Sequence, residues 1–139
     1  MSGFTLHPRL SADTVLVADW ELSRVLLMND ARYPWLILVP RRDGATELHD
    51  LEFRDRATLI EEVSRAARDL KEISGAEKIN VGALGNLVLQ LHVHVVARSP
   101  GDAAWPGPVW GRGTAIPYET ARREALVSIL RARYQSEAP

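Results

Sequence analysis

Two histidines in a short alternating segment, His92 and His94, are the residues of this sequence best suited to chemistry. They lie in Val88–Ala97, where polar and apolar residues alternate as in a β-strand with two different faces. Alternation places Gln90 on the same face as the two histidines. A neutral imidazole is a nucleophile or base near neutral pH, and a second imidazole can bind the same phosphate or protonate a leaving group. The pattern therefore predicts nucleophilic or acid–base chemistry on that face.

A glycine-punctuated turn precedes the histidines, and a basic residue follows them. Gly82, Gly85 and Asn86 let the backbone approach a ligand closely, and the amides of such turns favour anions. Arg98 comes directly after the predicted strand. A phosphate held between this turn, the two histidines and Arg98 is chemically coherent.

Two other interpretations of the histidine pair follow from the residues alone. The pair can be a polar strand face with ordinary hydrogen bonds, or two ligands of a metal ion. A metal site needs a third and a fourth ligand, and the only other histidines are His7 and His49, without ligand spacing to the pair. We predict no metal ligands and no cofactor. His7 is expected to be solvated, and His49 to belong to a turn or cap before a helix.

The elements that must position the histidines can be predicted from hydrophobic periodicity. The clearest is a helix over Arg54–Ser74, whose apolar residues recur every three or four positions before a stop at Gly75. A second helix is predicted over Tyr118–Tyr134, with its apolar side at Ala121, Ala125, Leu126, Ile129 and Leu130. The predicted strands are Thr14–Trp20, Ser23–Met28, Trp35–Val39, Glu77–Val81 and Val88–Ala97. Because the strands cluster around one long helix, we predict an α+β fold with a mostly antiparallel sheet.

The segment Arg98–Pro117 has no periodicity and contains Trp105 and Trp110. A structureless segment of this length inside a compact domain is usually functional or docks on something. We therefore predict that Trp105 or Trp110 contacts a neighbouring subunit or lines the pocket of the leaving group. The alternative is that both rings only pack.

Composition excludes several classes of protein. The 139 residues fit one domain, 1–139, with 46% hydrophobic and 25% charged residues. A formal net charge of −1 argues against nucleic-acid or membrane-surface binding. The absence of cysteine excludes disulfides and thiol nucleophiles. Without a long apolar run or a signal-like start, we expect no membrane partner and a cytoplasmic location.

The histidine segment resembles the signature of the histidine triad (HIT) family, in which three histidines alternate with apolar residues, with Gln90 in the first histidine position. The resemblance extends over roughly Leu16 to Asp102. It implies a five-stranded, mostly antiparallel sheet with a long helix and a C-terminal helix, usually in a homodimer. Further segments that resemble the family's pattern are Met28-Asn29-Asp30, Leu36–Arg42, His49-Asp50-Leu51, Asn80-Val81-Gly82 and Gly85-Asn86-Leu87-Val88.

The resemblance also implies roles for single residues. His92 corresponds to the nucleophile that attacks the α-phosphate of a nucleotide and forms a nucleotidyl-histidine, which water resolves. His94, Asn86 and Gln90 complete the expected catalytic set. The residues expected to contact the nucleotide are Asn29, Asp30, Asn80, Gly85 and Arg98. The apolar wall for the base is expected from Leu16, Leu27 and Leu38.

Three positions depart from the family's pattern. Gln90 cannot move a proton, Leu87 stands where the family has Ser or Thr, and Trp35 or Pro34 stands where it has an additional histidine. The leading hypothesis is a hydrolase or nucleotidyl transferase acting on a nucleoside phosphoramidate, an adenylated compound or a dinucleoside polyphosphate. The alternatives are a nucleotide-binding module with degenerate catalysis, or a metal-dependent enzyme that uses His92 and His94.

Overall fold

The computed structural model of the protein describes residues 3–136. The outermost residues of the predicted domain, 1–2 and 137–139, lie outside the described part of the chain. A single 3₁₀ turn, Leu48–Asp50, precedes the longest helix. The helices and strands are α1 (Pro8–Asp13), β1 (Thr14–Asp19), β2 (Ser23–Met28), β3 (Trp35–Pro40), α2 (Phe53–Ser74), β4 (Lys78–Gly82), β5 (Val93–Arg98) and α3 (Thr120–Ser136).

The five strands form one antiparallel sheet in the order β1-β2-β3-β5-β4. Strands β1 to β3 make a meander, and α2 carries the chain across to the far edge before β4 and β5. The predicted α+β class and the five-stranded antiparallel sheet are therefore confirmed. Among residues 3–136, no helix is long and apolar enough to span a membrane.

Both faces of the sheet are covered, which explains the continuous apolar run of β3. Leu36 and Leu38 point towards α2, whereas Trp35, Ile37 and Val39 pack on the opposite face. A fully buried leucine contributes about 1.5–3 kcal/mol to the free energy of unfolding. Strand β3 is thus stabilised from two sides, and the second face is the one on which the histidines lie.

Helix α2 follows the predicted periodicity closely. Its buried stripe contains Leu59, Val63 and Leu70, and Gly75 ends it with a left-handed φ of 71°. The buried carboxylate of Glu62 accepts hydrogen bonds from the backbone N–H groups of Leu22 and Ser23, at 2.9 and 3.0 Å. These bonds fix the helix to the turn between β1 and β2.

The predicted strand Val88–Ala97 is too long at its start, because β5 begins at Val93. Pairing with β4 stops at the partners Gly82 and His94, and pairing with β3 stops at Leu38 and Val93. Residues 88–92 extend beyond β4 and join neither ladder, although β3 itself continues to Pro40. His92 therefore lies in irregular backbone just before the strand.

Two features of the helices differ from the sequence prediction. Helix α1 is not predicted, because six residues are too few to show a period. His7, expected to be solvated, caps it by accepting the Arg9 N–H at 3.0 Å. The buried side of α3 consists of Val127, Leu130 and Tyr134. Three residues predicted for its apolar side are exposed instead: Ala121, Ala125 and Ile129.

Candidate active site

The two histidines meet on the second face of the sheet, at the start of β5. Their ring centroids lie 4.9 Å apart and their planes are nearly perpendicular. Both side chains are largely buried, yet both line a cavity of about 520 Å³, within the range of small-molecule sites. The predicted shared orientation of His92 and His94 is thus present, although only His94 belongs to the strand.

The ring of His92 is oriented by the backbone of Gln90. Its Nδ1 lies 2.7 Å from the Gln90 carbonyl oxygen. Because a carbonyl oxygen only accepts, Nδ1 carries a proton, and in the neutral ring Nε2 keeps the lone pair. This is the tautomer that a nucleophilic Nε2 requires.

The ring of His94 has the opposite tautomer. The indole N–H of Trp35 donates to His94 Nδ1 at 3.0 Å, and an indole nitrogen only donates, so the proton of His94 lies on Nε2. Burial, with a smaller contribution from His92, lowers the pKa of His94 to about 3. His94 is therefore neutral at physiological pH and is a hydrogen-bond donor.

Trp110 completes the enclosure of His94. Its ring centroid lies 5.5 Å from that of His94. A Cβ at position 82 would lie 3.1 Å from Trp110 Cη2, so Gly82 gives the ring its space. Trp110 lines the cavity of the two histidines, and its contact with a leaving group stays a prediction. Trp105 is partly exposed and packs over Arg98.

The glycine-rich turn borders the same cavity through Gly85 and Asn86. Gly85 has a φ of 72°, a conformation that other residues rarely adopt.

The side chain of Gln90, expected to belong to the catalytic set, instead contacts the N-terminal segment. Its amide accepts from the His7 N–H at 2.8 Å and donates to the Thr5 carbonyl at 2.9 Å. The Gln90 side chain thus holds the N-terminal segment, and only its carbonyl serves His92.

Asp30 lines the cavity, but its carboxylate is already engaged. Arg32 donates to it through Nε at 3.0 Å and Nη2 at 2.8 Å, and the Ile116 N–H donates at 3.3 Å. Burial alone would raise the pKa of Asp30, yet these hydrogen bonds outweigh burial and lower it. The Asn29 side chain does not line the cavity, because its oxygen accepts the Tyr118 N–H at 3.0 Å. Asn29 therefore anchors the segment before α3.

Arg98 and Asn80 do not line the cavity, so the expected phosphate contacts are not formed by this arrangement. The Arg98 guanidinium is fully buried and donates to both Asp102 oxygens, at 2.8 and 2.9 Å, and to Asn80 Oδ1 at 2.8 Å. The hydrogen bonds from Arg98 lower the pKa of Asp102 to about 2. The buried ion pair ties the end of β5 to the loop that carries Trp110.

The expected apolar wall of Leu16, Leu27 and Leu38 is wrong. Leu27 and Leu38 point to the α2 face of the sheet, Leu16 is about half exposed, and none of them lines the cavity. The apolar lining comes instead from Leu10, Met28 and Ile37. The alternation of side chains was predicted correctly. The error was to place these leucines on the face of the sheet that the histidines share.

The charges around the cavity favour an anion. Three arginines and two aspartates line it: Arg9, Arg32, Arg112, Asp13 and Asp30. Sequence reasoning missed Arg9, Leu10 and Asp13, which come from α1. The signal available in the sequence was Pro8, at the first position of that helix.

Among residues 3–136, no group of three His, Asp or Glu side chains is arranged to hold a metal ion. The metal-dependent alternative thus lacks a third ligand in the described chain.

The sequence pattern of the HIT domain matches residues 9–101. The chain belongs to the HIT family. A protein of Mycobacterium tuberculosis named AP-4-A phosphorylase is 36% identical to it over 110 residues, which cover 72% of this chain and 55% of that protein. This HIT protein therefore spans about half the length of the curated relatives that it matches.

Solved structures of HIT proteins have the same fold along almost the whole chain. A histidine triad protein from Bradyrhizobium japonicum is 50% identical, with a TM-score of 0.91 over 93% of this chain and 96% of that one. Another from Marinobacter aquaeolei VT8 is 42% identical, with a TM-score of 0.93 over 97% of this chain and 98% of that one. The HIT fold expected from the sequence is thus shown.

Proposed function

We propose that this HIT protein cleaves a nucleoside phosphoramidate or a dinucleoside polyphosphate at its α-phosphate. The observation that carries the proposal is the opposite tautomers of two adjacent imidazoles in one cavity. His92 offers a lone pair at Nε2, and His94 offers an N–H. One group attacks the phosphorus while the other donates to a phosphate oxygen.

The proposed reaction has two steps. The Nε2 lone pair of His92 forms a bond to the α-phosphorus, and the bond between that phosphorus and the leaving group breaks with its electron pair going to the leaving group, which takes a proton from solvent when it is an amine. Water then attacks the same phosphorus and gives up a proton to solvent. The bond between the phosphorus and His92 breaks with its electron pair returning to Nε2, and a nucleoside monophosphate is released. The Asn86 amide, on the turn that borders the cavity, is proposed to hydrogen-bond the phosphate.

The charge and lining of the cavity support a nucleotide as substrate. The cavity is lined by one more arginine than aspartates, which favours a phosphate chain, and Leu10, Met28 and Ile37 offer an apolar surface for a base. The relative named AP-4-A phosphorylase favours dinucleoside polyphosphates within this class. Its name also raises inorganic phosphate as an alternative to water in the second step.

A paired assay tests the proposal. Wild type and His92→Ala are each incubated with adenosine 5′-phosphoramidate and with diadenosine tetraphosphate, with and without inorganic phosphate, and the released nucleotides are separated by chromatography. In phosphate-free buffer, we expect the wild type to release AMP and His92→Ala to release none. ADP formed only when phosphate is present would identify phosphate as the second acceptor.

The other outcomes of this assay are equally informative. Equal release by His92→Ala would exclude His92 as the nucleophile. No release by wild type, together with AMP binding measured by calorimetry, would leave the nucleotide-binding module with degenerate catalysis. Absence of both turnover and binding would overturn the proposed substrate class.

We also propose a homodimer formed at the β4 edge. Strand β4 is the last strand of the sheet, so its outer edge has unpaired backbone groups. Val81 of β4 is an exposed apolar side chain, as are Leu84, Leu87 and Leu89 in the segment between β4 and β5. A second copy of this chain would pair the edge and cover these side chains.

A further inference from the structure

The ring of His94 is held by aromatic neighbours on three sides. The centroids of Trp35, Trp110 and His92 lie 5.6, 5.5 and 4.9 Å from it. Packing alone restricts the position of the ring, but it does not decide which nitrogen carries the proton. That decision requires a hydrogen-bond partner.

Trp35 supplies this partner. It lies on the central strand β3, is 5% exposed, and donates from Nε1 to His94 Nδ1 at 3.0 Å. If the proton of His94 moved to Nδ1, two N–H groups would face each other in a buried site and both would lose a hydrogen bond. Burying a donor without a partner is unfavourable, so this tautomer is strongly disfavoured.

The same contact fixes the orientation of the ring. Turning the imidazole over would place a C–H opposite the Trp35 N–H, again leaving a buried donor unsatisfied. The indole therefore sets two properties of His94 at once, its tautomer and the direction of Nε2–H.

We propose that Trp35 is a positioning residue, which holds His94 as an Nε2–H donor beside the Nε2 lone pair of His92. The carbonyl of Gln90 does the reverse for His92, so the two rings present one acceptor and one donor. The catalytic consequence rests on the proposed function, whereas the tautomer does not. A tryptophan at this position is therefore a functional part of the site as well as a packing residue.

The test compares wild type with Trp35→Phe, which keeps an aromatic ring and removes the N–H. Trp20→Phe is the matched control: Trp20 is also buried, lies on the α2 face, and among the described residues its Nε1 has no hydrogen-bond partner. Nitrogen-15 NMR of the histidine side chains reports which nitrogen is protonated, and the spectrum of His94→Gln assigns the signals of His94.

We expect a single Nε2–H tautomer for His94 in wild type and Trp20→Phe, and a mixture of tautomers in Trp35→Phe. A wild-type proton on Nδ1, or a single unchanged tautomer in Trp35→Phe, would overturn the proposal. Should Trp35→Phe fail to fold, benzothienylalanine at position 35 keeps the bicyclic shape and replaces the N–H by sulfur, and the same comparison applies.

Kinetics separates positioning from folding. With a substrate that the wild type turns over, we expect Trp35→Phe to lower kcat on the order of tenfold and to change KM by less than about twofold. A change in KM alone would contradict a role through His94. If the wild type turns over no substrate, the proposed function fails, yet the NMR result still decides the tautomer.

Discussion

His94 contributes to the stability of the fold only while it is neutral. In the unfolded chain its imidazole takes up a proton near the ordinary pKa of 6.5, but burial in the folded protein lowers that pKa to about 3. Between these two values the unfolded state binds more protons than the folded state. The contribution is therefore fully present above pH 6.5 and is lost as the pH falls towards 3.

This difference predicts the pH dependence of unfolding. As the pH falls from 6.5 to 5, we expect the free energy of unfolding of the wild type to decrease by up to about 1.4 kcal/mol per pH unit. His94→Gln removes the titrating group and should flatten this dependence. Urea unfolding at several pH values between 5 and 7 measures both proteins, and parallel curves for the two would contradict the prediction.

Arg98, expected from the sequence to contact a nucleotide, forms a buried ion pair with Asp102 instead. Asp102→Ala leaves the buried guanidinium of Arg98 with only the oxygen of Asn80, so we expect a loss of about 3–5 kcal/mol in the free energy of unfolding. The matched control is Asp19→Ala, which breaks the exposed pair with Arg24 and should cost about 1 kcal/mol or less. Equal losses from chemical unfolding would show that burial does not distinguish the two pairs.

At the level of elements, the short helix α1 depends on a side chain far away in sequence. The Gln90 amide holds the residues just before α1 through Thr5 and His7, and α1 in turn supplies Leu10 to the cavity. The glutamine in the first triad position therefore has a clear structural task. It connects the segment that carries His92 to one wall of the cavity.

Gln90→Leu should loosen α1 while leaving the sheet intact. The loss of two hydrogen bonds at about 1 kcal/mol each predicts amide hydrogen exchange that is at least about tenfold faster over residues 5–13. The amides of α2 are the internal control and should keep their exchange rates. Faster exchange along the whole chain would indicate global destabilisation instead.

At the level of the whole molecule, the proposed dimer makes a direct prediction. Leu87→Glu and Leu89→Glu place charges in the exposed apolar segment between β4 and β5, which the proposed dimer would cover. We therefore expect either variant to be monomeric when the wild type is dimeric. Ile129→Glu is the control, because Ile129 is also exposed but lies on α3, which packs against β1 at the opposite edge of the sheet. Light scattering after gel filtration measures all four proteins, and a monomeric wild type would refute the dimer.

Much of the fold was determined by local sequence. The period of α2, the stop at Gly75 and the apolar run of β3 each depend on neighbours within a few residues, and each was predicted within one or two positions. The alternation around His92 and His94 likewise placed both rings on one face. Helix α1 was missed because six residues carry no period, and the start of β5 was missed because strand length depends on the partner strands.

The roles of single site residues were decided by tertiary structure. Nothing near Arg98 or Asn80 in the sequence shows that they bind each other and Asp102 rather than a phosphate. Nor does it show that Trp35, 59 residues before His94, donates to its Nδ1. A local pattern fixes which way a side chain points from its own backbone. Its hydrogen-bond partner, and therefore its tautomer or charge, depends on distant residues that meet only when the chain is folded.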